Sequence, residues 1–210
     1  MKLISLNVSL PRELCWEGRS VYTGIFKEPV FGPVAADSGG LEGDGQADLK
    51  HHGGENKAVY AYPSEHYPFW RGEMPGVEMP WGAFGENLST EGLLEEKVRV
   101  GDRFRVGEVL LRAVQPREPC YKLTLRLGDR TLPKRFLQSL RSGIYFAVDG
   151  PGHLCAGDAI ELVDRAEHEV TIHDLARVIA GEHDPELLRR CVATPNLVPK
   201  LRDLCEKSLA

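Results

Sequence analysis

Ile4, Leu6 and Val8 alternate with Ser5, Asn7 and Ser9, which is the period of a strand with one buried face. The same signal predicts strands over Val21–Phe26, Ala58–Tyr62 and Val98–Asp102. It also predicts a hairpin of Arg103–Val106 and Val109–Val114 across Gly107-Glu108, and strands over Gly143–Val148 and Ala159–Val163. Pro29–Val34 reads as a loop or an edge strand. Pro63–Arg71 forms a short helix weakened by Pro68, and Gly72–Trp81 is a loop broken by proline and glycine. Past Pro133 a helix puts Phe136, Leu137 and Leu140 on one face. Arg141 ends that helix.

Beyond Arg165 the period changes to helical. Thr171-Ile172-His173-Asp174 has the form of a capping box before Leu175 and Ile179, and Asp184-Pro185 and Pro199 start two further amphipathic helices. The expected organisation is a β-domain over residues 1–165 and a small three-helix appendage over 166–210. These helices are too short to stand alone, so they pack on one another, on the β-domain, or on a second copy as a homodimer.

Composition narrows the function. A chain of 210 residues with net charge −5 has no general attraction to nucleic acid, and no apolar run approaches a membrane span. The early polar residues Ser5 and Asn7 interrupt any signal-peptide core, so a cytoplasmic location is expected. Five cysteines without a CxxC spacing argue against a disulfide framework and against a thiolate zinc site.

Two polar segments carry candidate chemistry. The first, Asp37–Asn56, is too long and glycine-rich to be an ordinary connection. It lacks the phosphate-loop and dinucleotide patterns, and Leu49 stands where a calcium loop needs glycine. In Lys50-His51-His52-Gly53-Gly54-Glu55-Asn56-Lys57, backbone N–H groups and cations suit an oxyanion, while a solvated turn is the plainer reading. The second is Gln115-Pro116-Arg117-Glu118-Pro119-Cys120-Tyr121-Lys122, where prolines stiffen the approach to a thiol at a strand end. Arg117 and Lys122 favour thiolate, the form that attacks electrophiles and binds soft metals; the plainer reading is a thiol packed as a small hydrophobe.

The segments Leu41–Asp44 (LEGD), His52–Gly54 (HGG), Phe84–Thr90 (FGENLST), Gly101–Phe104 (GDRF) and Gln115–Leu123 (QPREPCYKL) occur in the order and spacing of the MOSC domain family. With the helical tail, the chain resembles its YiiM-type branch over nearly its whole length. The resemblance implies a mainly β fold, a closed or nearly closed antiparallel β-barrel with the helical appendage. It implies a molybdenum cofactor (molybdopterin, Mo), rather than pyridoxal phosphate, with Cys120 as metal ligand and catalytic residue. His52, Gly53, Lys57, Arg117 and Lys122 would hold the cofactor's phosphate, with Thr23 and Asn87 lining its pocket. The implied activity is reduction of small N-hydroxylated compounds such as hydroxylamino purines. With no flavin or haem motif in the chain, a separate reductase would supply the electrons. The alternative is a carrier that holds a persulfide or the cofactor without turnover. One departure is expected to matter: Ile144 and Ala147 stand where relatives often carry an aromatic and a basic residue, leaving Arg141 as the substitute.

Overall fold

The structure is a computed structural model that describes residues 1–47 and 53–209. In chain order the first half holds β1 (Lys2–Val8), β2 (Arg12–Trp16), β3 (Arg19–Thr23), β4 (Glu28–Val30), β5 (Val34–Asp37), β6 (Gly40–Leu41), β7 (Val59–Pro63), α1 (Tyr67–Glu73) and β8 (Leu88–Glu91). The second half holds β9 (Arg103–Val106), β10 (Val109–Pro116), α2 (Lys122–Leu127), α3 (Leu132–Ser139), β11 (Ile144–Gly150), β12 (Gly152–Leu154) and β13 (Ile160–Asp164). It ends with α4 (Ile172–Ile179), α5 (Pro185–Ala193) and α6 (Pro199–Leu209).

Eight strands form one sheet in the order β13-β9-β10-β11-β7-β8-β1-β4. This corrects the expected antiparallel barrel in two ways. The β7–β8 pair is parallel, because α1 and the long connection after it return the chain to the same end of the sheet. Nor, among the described residues, does a ladder close the barrel: β1, next to the edge strand β4, meets the start of β13 only at the isolated bridge Lys2↔Ala159 and its flanking backbone bonds, such as Ile160 N to Met1 O at 2.9 Å. The sheet is therefore open and mixed, and among the described residues six α-helices, three of them before the tail, accompany it.

The strand expected over Val98–Asp102 is a turn. Val98 and Val100 are buried as their alternation requires, but their backbone groups bond to the start of the helical tail, Ile172 N to Val98 O at 2.9 Å and Val100 N to Val170 O at 3.1 Å. Asp102, fully buried, accepts from Arg99 N at 2.9 Å, Arg165 Nη1 at 2.8 Å and Ala166 N at 2.9 Å. That carboxylate fastens the tail to the sheet. The capping box at Thr171 and Asp174 is present, and Leu175, Leu188, Cys191, Leu201 and Cys205 join Val98 and the sheet's Val114 and Phe146 in one apolar cluster.

A second cluster is aromatic. Tyr62, Trp70, Phe84 and Phe136 pack together, with Trp70 and Phe136 stacked at 5.7 Å and Trp70 Nε1 donating to Tyr62 Oη at 2.7 Å. Beside it the fully buried Glu86 accepts from the Tyr67 hydroxyl, Gly82 N at 2.8 Å, Phe84 N at 3.0 Å and Ser89 Oγ at 2.8 Å. Burial pushes the Glu86 carboxyl above its ordinary pKa while these donors pull it back. Among the described residues no helix is long and apolar enough to cross a membrane.

Two outcomes follow. Leu188→Ala, which hollows the junction of tail and sheet, should lower the unfolding free energy by about 2–5 kcal/mol in a single denaturant transition. Burial raises the pKa of Tyr60, Tyr62 and Tyr67 in the fold, so their contribution is fully present below the ordinary tyrosine value and is lost as pH rises past it. In pH-dependent denaturation above roughly pH 10, Tyr67→Phe should lessen the fall of stability by about 1.4 kcal/mol per pH unit.

Candidate active site

The thiol sits where β10 leaves the sheet. Pro116 ends the strand opposite Ile144, and four residues on Cys120 precedes the turn into α2, with Leu123 N donating to Cys120 O at 3.0 Å. Cys120 is free and half-buried. It lines a cleft whose empty volume, counting its open mouth, is about 580 Å³. The same wall carries Thr23, Lys57, Asn87, Arg117 and Lys122, so six residues from four separate segments of the chain meet there. Gly53 stands outside the cleft's described lining, and His52, with His51 and Lys50, lies outside the described residues.

Two further charges face the same space: Lys27, unmarked by the sequence reading, and Asp44, which ends the LEGD segment. Lys27 is 7% exposed and forms an ion pair with Asp44 Oδ1. Burial lowers the Lys27 pKa, with Arg117's charge adding to the effect and Asp44 opposing it. Asp44 also accepts from Ser9 N at 2.8 Å and from Asn87 Nδ2 at 2.9 Å. Asn87 spends its remaining capacity on Tyr60 N at 3.0 Å and Asn7 O at 3.3 Å. Its role in the described fold is to hold Asp44 and β7 in place.

Arg117 is 8% exposed, donates to Phe84 O, and lies 4.9 Å over the Tyr60 ring. Among the described residues no carboxylate forms an ion pair with it. Thr23 is buried and its hydroxyl accepts from Ile25 N at 3.2 Å, which leaves its proton to donate. Tyr145 also faces the cleft, packed on Tyr60 at 5.0 Å with Lys57 Nζ 6.0 Å above its ring. Ile144 and Ala147 in the same β11 are core residues, so the aromatic side chain this strand gives to the cleft is Tyr145. Arg141 does not substitute for the missing cation: it lies 3.8 Å over Phe69 and outside the cleft lining.

The donor set suits an anionic ligand held beside a soft thiolate. Arg117 and Lys27 are buried with Asp44 as the carboxylate that pairs with one of them, and an ion of negative charge would complete the balance. Among the described residues no group of three or more His, Cys, Asp or Glu gathers to hold a metal. A metal bound here through Cys120 would thus need most of its ligands from another molecule.

Residues 48–161 match the MOSC domain family. YflK of Bacillus subtilis (strain 168), an uncharacterized protein, is 40% identical over 186 residues, covering 89% of this chain and 83% of YflK. A protein named reductase from Gibberella moniliformis is 35% identical over 182 residues, 85% of this chain but 32% of the fungal protein. The crystal structure of YiiM from Geobacillus stearothermophilus superposes with a TM-score of 0.82 at 34% identity, covering 100% of this chain and 99% of that one. With this fold and a thiol-lined cleft, the chain belongs to the MOSC domain family. Within it, the chain falls in the YiiM-type branch.

The charge balance is testable. Asp44→Asn leaves the Lys27 ammonium buried without its partner and should cost about 3–5 kcal/mol of stability. In urea denaturation, the double variant Lys27→Met/Asp44→Asn should recover part of that loss; an equal or larger loss in the double variant would contradict the pairing.

Proposed function

We propose that the chain is a molybdenum cofactor-binding oxidoreductase that reduces N-hydroxylated compounds, hydroxylamino purines among them, to amines, with Cys120 as the molybdenum ligand. The observation that carries this reading is the half-buried free thiol sharing a cleft with two buried cations and one carboxylate. Membership of the MOSC family and a relative named reductase support an oxidoreductase of this kind.

The residues present fit such a group. Cys120 offers a soft sulfur donor, and Arg117, Lys27 and Lys122 offer positive charge to a phosphate and an anionic metal centre. When bound, the cofactor would supply a metal able to exchange two electrons. Reduction of R–NHOH takes two electrons and two protons, breaks the N–O bond and releases R–NH₂ and water. Arg117 holds a fixed position between Phe84 O and the Tyr60 ring, so its charge reaches the cleft without reorganisation. The Tyr145 hydroxyl makes no hydrogen bond with the described residues, and burial raises its pKa, so it stands protonated as a donor to a leaving oxygen. The Tyr60 hydroxyl is spent on Ser142 O at 2.8 Å and cannot take that part. A separate reductase would deliver the electrons, and a homodimer through the C-terminal helices remains part of the proposal.

Protein purified from a host that makes the cofactor should contain stoichiometric molybdenum and reduce N-hydroxylated purines. Cys120→Ser should lose both metal and activity. Equal, negligible molybdenum in the two proteins would remove Cys120 as a metal ligand and favour the persulfide carrier.

A further inference from the structure

Beside the cleft lies a pair of arginines that the proposed chemistry does not use. Arg12 on β2 and Arg126 in the last turn of α2 place their guanidinium carbons 4.6 and 5.1 Å from the centroid of one ring, Phe26. Neither forms an ion pair among the described residues, and Arg126 Nε is buried without any hydrogen-bond partner. Buried donors are nearly always satisfied, so this one is an exception that asks for an acceptor. Burial and the charge of Arg12 both act against the charge on Arg126, with Glu86 and Glu28 partly compensating from a distance. Glu86 is committed to its own four donors, so it cannot serve as that acceptor.

Position ties the pair to the cleft. Phe26 lies between Ile25 and Lys27, which both line it, and Arg126 stands one helical turn beyond Lys122, which lines it too. A planar guanidinium presents a fork of donors matched to phosphate oxygens, and stacking on an aromatic ring fixes the plane of that fork.

We propose that Arg12 and Arg126 form a second anion site, next to the Cys120 cleft, that takes a phosphate group. The phosphate belongs either to a nucleotide form of the substrate or to the cofactor; naming its source rests on the proposed function, and the site itself does not.

The test begins with the full chain made without cofactor, titrated calorimetrically with inorganic phosphate at fixed ionic strength. Wild type should bind one phosphate more per chain than Arg12→Gln/Arg126→Gln, or bind it about tenfold more tightly. Identical isotherms would overturn the site. Arg12→Gln alone, at an exposed position, repeats the comparison should the double variant fold poorly. For the source, kcat/KM is compared between N-hydroxyadenosine 5′-monophosphate and N-hydroxyadenosine on cofactor-loaded protein. A preference of about tenfold for the nucleotide, abolished in the double variant, assigns the phosphate to the substrate. No preference, with cofactor retention lowered in the variant, assigns it to the cofactor. Wild type that reduces neither compound would remove the proposed reaction, and the phosphate isotherms would still decide the site.

Discussion

The carboxylate of Asp44 is the constraint on which the cleft depends. It lies at the end of LEGD, in a stretch with little to bury, yet it binds Lys27, the backbone of Ser9 and the amide of Asn87. Through these bonds it holds together the chain after β1, the segment after β3 and the loop before β8. Removing any one partner would leave a buried polar group unsatisfied, which is why the arrangement is rigid. Asp44 can neutralise one cation only. Arg117, pinned by Phe84 O, stays a net positive charge beside Cys120, and so the fold itself prepares the cleft for an anion.

Much of this site was legible in the sequence because its chemistry is local. Two prolines and flanking charges marked Cys120 at a strand end, and the structure brings Thr23, Lys57, Asn87, Arg117 and Lys122 to the same wall. Lys27 escaped notice because a single lysine after Ile25-Phe26 reads as a surface charge; the usable signal was alternation, with Thr23, Ile25 and Lys27 sharing one buried face. Tyr145 read as one more residue of a core strand. Asn87 is in the cleft as expected, but its polar atoms are consumed by the fold.

The fold was legible where a period was long enough to measure and obscure where contacts are distant. The hairpin of β9 and β10 and the tail helices stand where alternation, proline and the capping box put them. Of the short β2–β3 ribbon, closed by a two-residue turn with Glu17 at φ 52° and Gly18 at φ 74°, the strand expected over Val21–Phe26 overlaps β3 at Val21–Thr23, while β2 carries too few apolar residues to announce itself. Nothing local distinguishes a parallel β7–β8 pair from an antiparallel one, since the difference lies in the path of residues 64–87. Val98 and Val100 alternate like a strand because both are buried, although their backbone groups bond to the tail and not to a ladder.

The central claim is that Cys120 places its sulfur on a metal within this charged cleft. X-ray absorption at the molybdenum edge, on protein purified from a cofactor-producing host, measures that contact directly. The account predicts one more sulfur neighbour around the metal in wild type than in Cys120→Ala with cofactor reconstituted. Metal present in both proteins with the same sulfur shell would contradict it.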